Sequence, residues 1–328
     1  MAQPKPPAPP AASPSTKFQR RGGGDTALWL ITMGFALVVV GLVVLIGLVT
    51  WNGSALARDA FGFGFLFETG WNPVNGRFGA LPAIYGTLVS SLIALLVAGP
   101  LGVAIGVFLS ELCPLRLRAP LSFFVELLAA IPSVIYGMWG IFIFVPFFKT
   151  WIAAPISKSV GTFVPFLAGP VTAGRGLAVA GIILAIMILP TIASITRDVL
   201  RVVPNHQREA MLAVGATRSE VIWRAVLPYA RAGIIGAVML GLGRALGETM
   251  AALMVIGSFK SQVPGSIFAP ATTAAALIAS ELPNANDALH ESTLILIGLV
   301  LFGITFLLNA AARLLVWQTA RGPGGARG

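Results

Sequence analysis

Ionisable residues are scarce in this chain: Asp, Glu, Lys and Arg together make up 10% of its 328 residues, and only 12 of them are acidic. Soluble domains hold about a quarter, so an ordinary water-exposed globule is excluded and a membrane class is expected. Cysteine is nearly absent. A lone Cys113 rules out an intrachain disulfide and leaves no thiolate cluster. Histidine occurs twice, at His206 and His290, in separate polar stretches without metal-ligand spacing. Both are expected at the surface, and no metal site is expected. No G-x4-G-K-[ST] loop is present, and the one Lys-Thr pair, Lys149-Thr150, has no glycine before it, so this chain is not expected to hydrolyse ATP. Nor can a nucleophile, base and orienting group be assembled. The chain is therefore read as a non-enzyme.

What is present is apolar: 56% of the residues are hydrophobic. Six runs are long enough to cross a bilayer core of about 30 Å at about 1.5 Å per residue: Ala27 to Thr50, Ala83 to Leu109, Leu121 to Phe148, Leu177 to Ile195, Gly233 to Gly257 and Thr293 to Val316. The spacing predicts an all-α membrane protein of six transmembrane helices, a single membrane domain over 27–318. Residues 1–26 are rich in Pro, Ala and Gly and are expected to be a disordered tail; residues 319–328 are expected to be a second tail. The first run follows basic residues like a secretory signal, but it exceeds the about 7 to 15 residues of a signal's apolar region, which favours a retained helix. Residues 51–80 read as an external loop with interfacial aromatics. The short piece Ile267 to Ser280, interrupted by Pro270, reads as external or re-entrant.

Net charge is +10, yet the basic residues sit in short loops between apolar runs, which points to membrane lipid and topology rather than nucleic acid. The N-terminal tail, residues 110–120, residues 197–231 and the C-terminus hold 15 Lys and Arg, against 6 on the opposite side. The positive-inside bias places that first side, with both termini, in the cytoplasm.

Within 201–231, apolar Met211, Leu212, Val214, Val221, Ile222, Ala225 and Val226 recur at helical spacing, and Gly215 divides the segment. A helical hairpin is predicted, with its exit at Pro228, because proline disfavours helical geometry in the residue before it. In the fifth run, Arg244 and Glu248 stand four apart, on one face of a helix. Charge at membrane depth costs about 2.5 to 3.5 kcal/mol on insertion scales and usually faces a bundle interior or an aqueous path. These two are the candidate translocation residues, with Glu248 expected to hold and partly neutralise Arg244 so that an anion meets a moderated positive site. The alternative is a structural ion pair holding this helix against its neighbours. Glu126 is a further acid in an apolar run, paired with Arg116 or Arg118 or facing the path. Pro132 and Ser133 form a kink that would release backbone carbonyls, either into the path or merely for packing.

Glu209, Ala210, Gly215, Leu227 and Pro228 stand at the spacing of the "EAA" loop, E-A-A-x3-G-x9-I-x-L-P, with Met211 and Ala225 replacing the second alanine and the isoleucine. Together with GLGRALGETM at 241–250 and ELLAAIPSVIYGMWG at 126–140, the chain resembles PstC-type permease subunits of bacterial phosphate ABC importers, from about Ala83 to the last apolar helix. The resemblance implies a type I importer permease fold, MetI-like, and ATP-driven import of inorganic phosphate across the inner membrane. It also implies a PstA-like sister permease, two copies of an ATP-binding subunit using ATP and Mg, and a phosphate-binding protein. The chain itself needs no cofactor. On this resemblance Glu209, Ala210, Gly215, Leu227 and Pro228 dock on the ATPase, and Arg244 and Glu248 occupy motif positions linked to translocation. A PstA-type subunit or a permease for another oxyanion also fits. An ion-coupled carrier, with Arg244 and Glu248 as a proton relay, and a non-transporting scaffold are the readings from other classes.

Overall fold

Small residues set the packing. On the helix α3 (Leu81–Val107) the buried positions Ala83, Gly86, Ser90, Ala94, Ala98, Gly102 and Gly106 recur every three or four residues, forming one stripe. Against it lies α8 (Leu177–Arg201), buried along most of its length. A Cβ on Gly102 would stand 2.9 Å from Ile192 Cβ, one on Gly106 2.7 Å from Thr196 Cβ, and one on Gly181 2.5 Å from Ile93 Cγ2. Apolar helices gain little from the hydrophobic effect inside lipid, so close backbone approach of this kind supplies the association.

The computed structural model describes residues 23–168, 171, 174–285 and 287–320. The expected tails lie outside them for 1–22 and 321–328. Helix α1 (Gly23–Gly53) begins before the expected boundary at 27, and the last helix continues to Ala320, past the expected boundary at 318. The chain divides into two units, up to Leu48 and from Val49 onward, the described part of the first being α1 up to Leu48. Six helical runs among the described residues have the length and composition to cross a membrane: Gly24–Gly53, Leu81–Leu112, Ser133–Thr162, Leu177–Arg201, Arg218–Leu246 and Ala288–Leu314.

Two of these differ from expectation. The third was expected over Leu121 to Phe148, but Pro132 ends α4 (Leu115–Ala130) and starts α5 (Ser133–Trp139), with Ile131 and Pro132 extended at ψ 129° and 139°. A proline drives the residue before it out of helical geometry, so the crossing run begins only at Ser133. It continues helically through α6 (Val145–Phe148) and α7 (Ala154–Ser159). The fifth was expected over Gly233 to Gly257, with Pro228 as the hairpin exit. Instead the chain runs helically from α10 (Arg218–Val221) into α11 (Leu227–Leu246) and stops at Gly247. A wide π turn at Ile222–Val226, closed by Leu227 N–H to Ile222 O, precedes Pro228. It opens the ladder where the proline ring would otherwise clash. Helix α9 (Asn205–Ala213) forms the other arm of the hairpin.

At the end of the unit where α3 begins, α2 (Ala55–Phe61) and a two-stranded ribbon, β1 (Trp71–Asn72) antiparallel to β2 (Arg77–Phe78), cover the start of α14 (Ala288–Ala320). Of the aromatics in this stretch, Phe65, Trp71 and Phe78 are buried, whereas Trp51, Phe63 and Phe67 are exposed as an interfacial loop requires. The region of Pro270 is not a crossing segment: a non-helical loop passes α3 at Gly86, where a Cβ would strike Thr272 O, and leads into the buried α13 (Ala274–Glu281). Helix α12 (Met250–Ile256) enters that loop through Gly257 at φ +96°.

His290, expected at the surface, is buried at 6% exposure, stacked on Phe78 and 3.4 Å from Glu281. Its sequence neighbours are polar, but the ribbon folds over it. Glu281 also pairs with Lys260 and accepts from Trp71 Nε1 at 3.3 Å. Burial alone would raise the Glu281 carboxyl; the Lys260 ammonium outweighs it and holds the group below the usual carboxylate range. A depressed carboxylate contributes stability above its unfolded pKa of about 4.3, and that contribution disappears as pH falls through the lower folded value. Glu281→Gln is therefore expected to lower the thermal midpoint at pH 7 by about 2 to 4 °C per kcal/mol lost, with the gap to the parent protein closing below about pH 4. Scanning fluorimetry at the two pH values reads this.

Candidate functional site

The fifth crossing run ends between the two charges expected to share one face. Gly247 caps α11, and α12 starts three residues later, so Arg244 and Glu248 are not on one continuous helix. The ion pair expected between them is not formed among the described residues. Arg244 Nη1 donates to Thr191 Oγ1 of α8 at 3.0 Å, and Glu248 Oε1 accepts from Ala251 N at 3.1 Å. The physical reason is the chain break: α11 ends at Gly247, and the carboxylate satisfies a free N–H at the start of α12. Arg244 is half-buried. A guanidinium carries five N–H donors, of which the described contacts use one.

Other sequence candidates gather around the same break. Helix α5, begun by Pro132 and Ser133, packs on α12, where a Cβ on Gly137 would stand 2.7 Å from Met254 Sδ and 3.1 Å from Ala251 Cα. Tyr136 of α5 lies within electrostatic range of Arg244, its hydroxyl donating to Leu128 O at 2.9 Å. The kink, Arg244, Glu248 and Thr191 thus occupy one neighbourhood. Glu126 does not belong to it. Of the two alternatives open for it, pairing with Arg116 or Arg118 is not formed among the described residues; it accepts from Arg197 Nη1 at 2.9 Å. Arg197 stands six residues beyond Thr191, about 9 Å further along α8.

The hairpin is a separate site. Gly215 turns the chain at φ +85°, a conformation favouring glycine. Thr217 caps α10 with Glu220 in a reciprocal capping box, fixing the second arm's entry. Glu209, Ala210 and Pro228 are exposed, as is Gly215; Leu227 is half-buried against Val226 and Ala230. Leu212 and Val214 project apolar surface at the tip, at 54% and 79% exposure. Between the arms runs a groove of about 700 Å³ lined by Ala210, Met211, Val214, Ala225 and Pro228. An apolar tip beside exposed Glu209 has the composition of a docking surface for a folded partner.

Sequence reading missed the base of this hairpin. Arg208 Nη2 and Nε donate to the two oxygens of Glu111 at 2.8 and 3.2 Å, and its Nη groups reach Val203 O at 2.6 Å and Leu200 O at 3.0 Å. Glu111 sits in a π turn, Phe108–Leu112, that ends the second crossing run. Its signal was an acid next to an apolar run, but the partner lies 97 residues away.

Comparison with known proteins accords with this geometry. Residues 100–319 match the model of the binding-protein-dependent transport system inner membrane component family. The phosphate transport system permease protein PstC of Mesorhizobium japonicum is 48% identical over 298 residues, covering 90% of each chain, and that of Haemophilus influenzae is 45% identical over 287, covering 86% of this chain and 90% of that one. Among solved structures, an inward-facing MetNI methionine ABC transporter superposes with a TM-score of 0.51 at 19% identity, over 73% of this chain and 95% of that one. It shows the fold. The chain belongs to the binding-protein-dependent transport system inner membrane components, as a multi-pass permease of the PstC type with the MetI-like fold.

Proposed function

We propose that this chain is the permease subunit that carries inorganic phosphate inward through an ATP-driven importer of the inner membrane. The observation that carries the reading is the similarity to PstC permeases along 90% of both chains, joined to an arginine that donates to Thr191, midway along the crossing helix α8, with donors left unused by the described contacts. A planar guanidinium suits phosphate oxygens. Because Glu248 is engaged at the start of α12 rather than with Arg244, no carboxylate pairs with the guanidinium among the described residues, and its described acceptor is the Thr191 hydroxyl. Arg244 is the translocation residue in this reading, and Glu248 acts by fixing the break. Pro132 and Ser133 place α5 beside it. Glu126, paired with Arg197, lies apart from Arg244 and has a structural role.

The hairpin docks on an ATP-binding subunit, two copies of which bind ATP and Mg. Glu209 makes polar contacts there, Ala210 permits close approach, Gly215 forms the turn, and Leu227 and Pro228 hold the second arm. A PstA-like sister permease completes the path, and a phosphate-binding protein delivers the anion. Charge bias puts the hairpin and both termini in the cytoplasm. No enzymatic step is assigned to this chain.

Proteoliposomes holding the chain with its sister permease, ATPase and binding protein test the reading. With ATP inside and ion gradients collapsed, phosphate uptake is expected only when ATP and binding protein are both present, and Glu209→Ala is expected to lower it about tenfold, the loss of about 1.4 kcal/mol of docking free energy. Uptake that follows an ion gradient without ATP would overturn it.

A further inference from the structure

We propose a second anion site, for a phosphoryl group, in the cavity between α4 and the last turns of α8. The cavity holds about 320 Å³ and is walled by Arg118, Ser122, Glu126, Arg197 and Arg201. The first three stand on one face of α4 at intervals of four residues, and the last two are one turn apart on α8, so two helices present their polar stripes to one space. Three guanidinium groups face one carboxylate within it. Arg197 is already engaged, by Glu126 at 2.9 Å and by Asp198 at 2.8 Å. Arg201 is exposed, without an ion-pair partner among the described residues.

Two buried polar atoms of the cavity wall have no protein partner. Ser122 is 8% exposed and its Oγ has no hydrogen-bond partner, nor has Arg118 Nε, although Arg118 Nη2 donates to Ser110 O at 2.6 Å. Buried polar atoms are nearly always satisfied, and leaving one unmet is unfavourable. A hydroxyl and a guanidinium N–H beside a free arginine form the donor set that recognises phosphate oxygens. Leu115 and Phe123 flank the cavity and are 81% and 60% exposed, so an acyl chain could lie against them while its headgroup enters. Basic pockets between helices on the positively biased side are suited to such headgroups. The same donors accept free phosphate. The site is distinct from Arg244, and it does not depend on which solute is transported.

The test is anion binding by the full chain in phosphatidylcholine nanodiscs, in an Arg244→Gln background so that the transport site takes no part. One arm titrates inorganic phosphate by equilibrium dialysis. The other adds phosphatidylglycerol and counts retained molecules by native mass spectrometry. In whichever arm binds, Arg201→Gln is expected to weaken binding about tenfold and Ser122→Ala about threefold. Glu126→Gln is expected to tighten it, because the carboxylate that lines the cavity and repels an anion is neutralised, while Asp198 still holds Arg197 in place; a misfolded variant would not gain affinity. Phosphate binding with this pattern identifies free phosphate as the occupant, and phosphatidylglycerol retention with this pattern identifies the headgroup. Binding of neither, or binding indifferent to all three substitutions, overturns the site.

Discussion

Arg244→Gln in the assembled transporter is expected to cut phosphate uptake by about ten- to hundredfold while leaving assembly intact. A hydrogen bond to a charged group is worth about 1.5 to 3 kcal/mol, and each 1.4 kcal/mol on a barrier is about a factor of ten in rate. Assembly should survive because Arg244 makes one described side-chain bond, to Thr191 at 3.0 Å, and Gln can still donate to that hydroxyl. Arg244→Lys keeps the charge but loses the planar fork, so an intermediate rate is expected. Glu248→Gln separates two schemes. Were Glu248 the counter-ion of Arg244, its neutralisation would strengthen anion capture and slow release. With Glu248 accepting from Ala251 N, the amide oxygen can still cap α12, and uptake is expected to change less than about threefold. Uptake rates, normalised to complex recovered on a size-exclusion column, decide between them.

The helices were legible because each is a long apolar run, and the hairpin because a glycine at Gly215 and apolar residues at helical spacing mark it locally. Breaks inside runs were less so. Pro132 was read as a kink within a span, yet it ends α4 outright; Pro228 was read as an exit, yet the π turn before it absorbs its effect. A proline's outcome depends on whether neighbouring backbone can relax, which tertiary packing decides. The spacing of Arg244 and Glu248 promised one face only if the helix ran through Gly247. Partners remote in sequence were not legible at all. Nothing local to Glu126 points to Arg197, and nothing near His290 shows that β2 will cover it.

Arg208 is the residue whose loss should separate ATP hydrolysis from transport. It joins three elements: α9 of the hairpin, the carbonyls of Leu200 and Val203 at the end of α8, and the carboxylate of Glu111 at the end of the second crossing run. Arg218, at the start of the hairpin's other arm, reaches Glu111 O at 2.8 Å. Both arms are therefore tied to one π turn, which is stiffened in turn by Arg118 donating to Ser110 O. If a partner ATPase moves the hairpin, this clamp carries the displacement into α3 and α8, whose tight glycine packing transmits it along the bundle. The Arg208 and Glu111 side chains are 20% and 11% exposed, and a hydrogen bond to a charged group in such a part-buried pair is worth about 1.5 to 3 kcal/mol. Arg208→Ala is expected to lower phosphate uptake at least about tenfold, while ATP hydrolysis by the assembled complex falls less than about threefold. Glu111→Gln keeps an acceptor and should give an intermediate loss. The readout is phosphate transported per ATP hydrolysed, which a merely destabilised complex would not change, since misfolded copies lose both activities together. A ratio equal to that of the unsubstituted complex in both variants would show that hairpin motion reaches the crossing helices by another route.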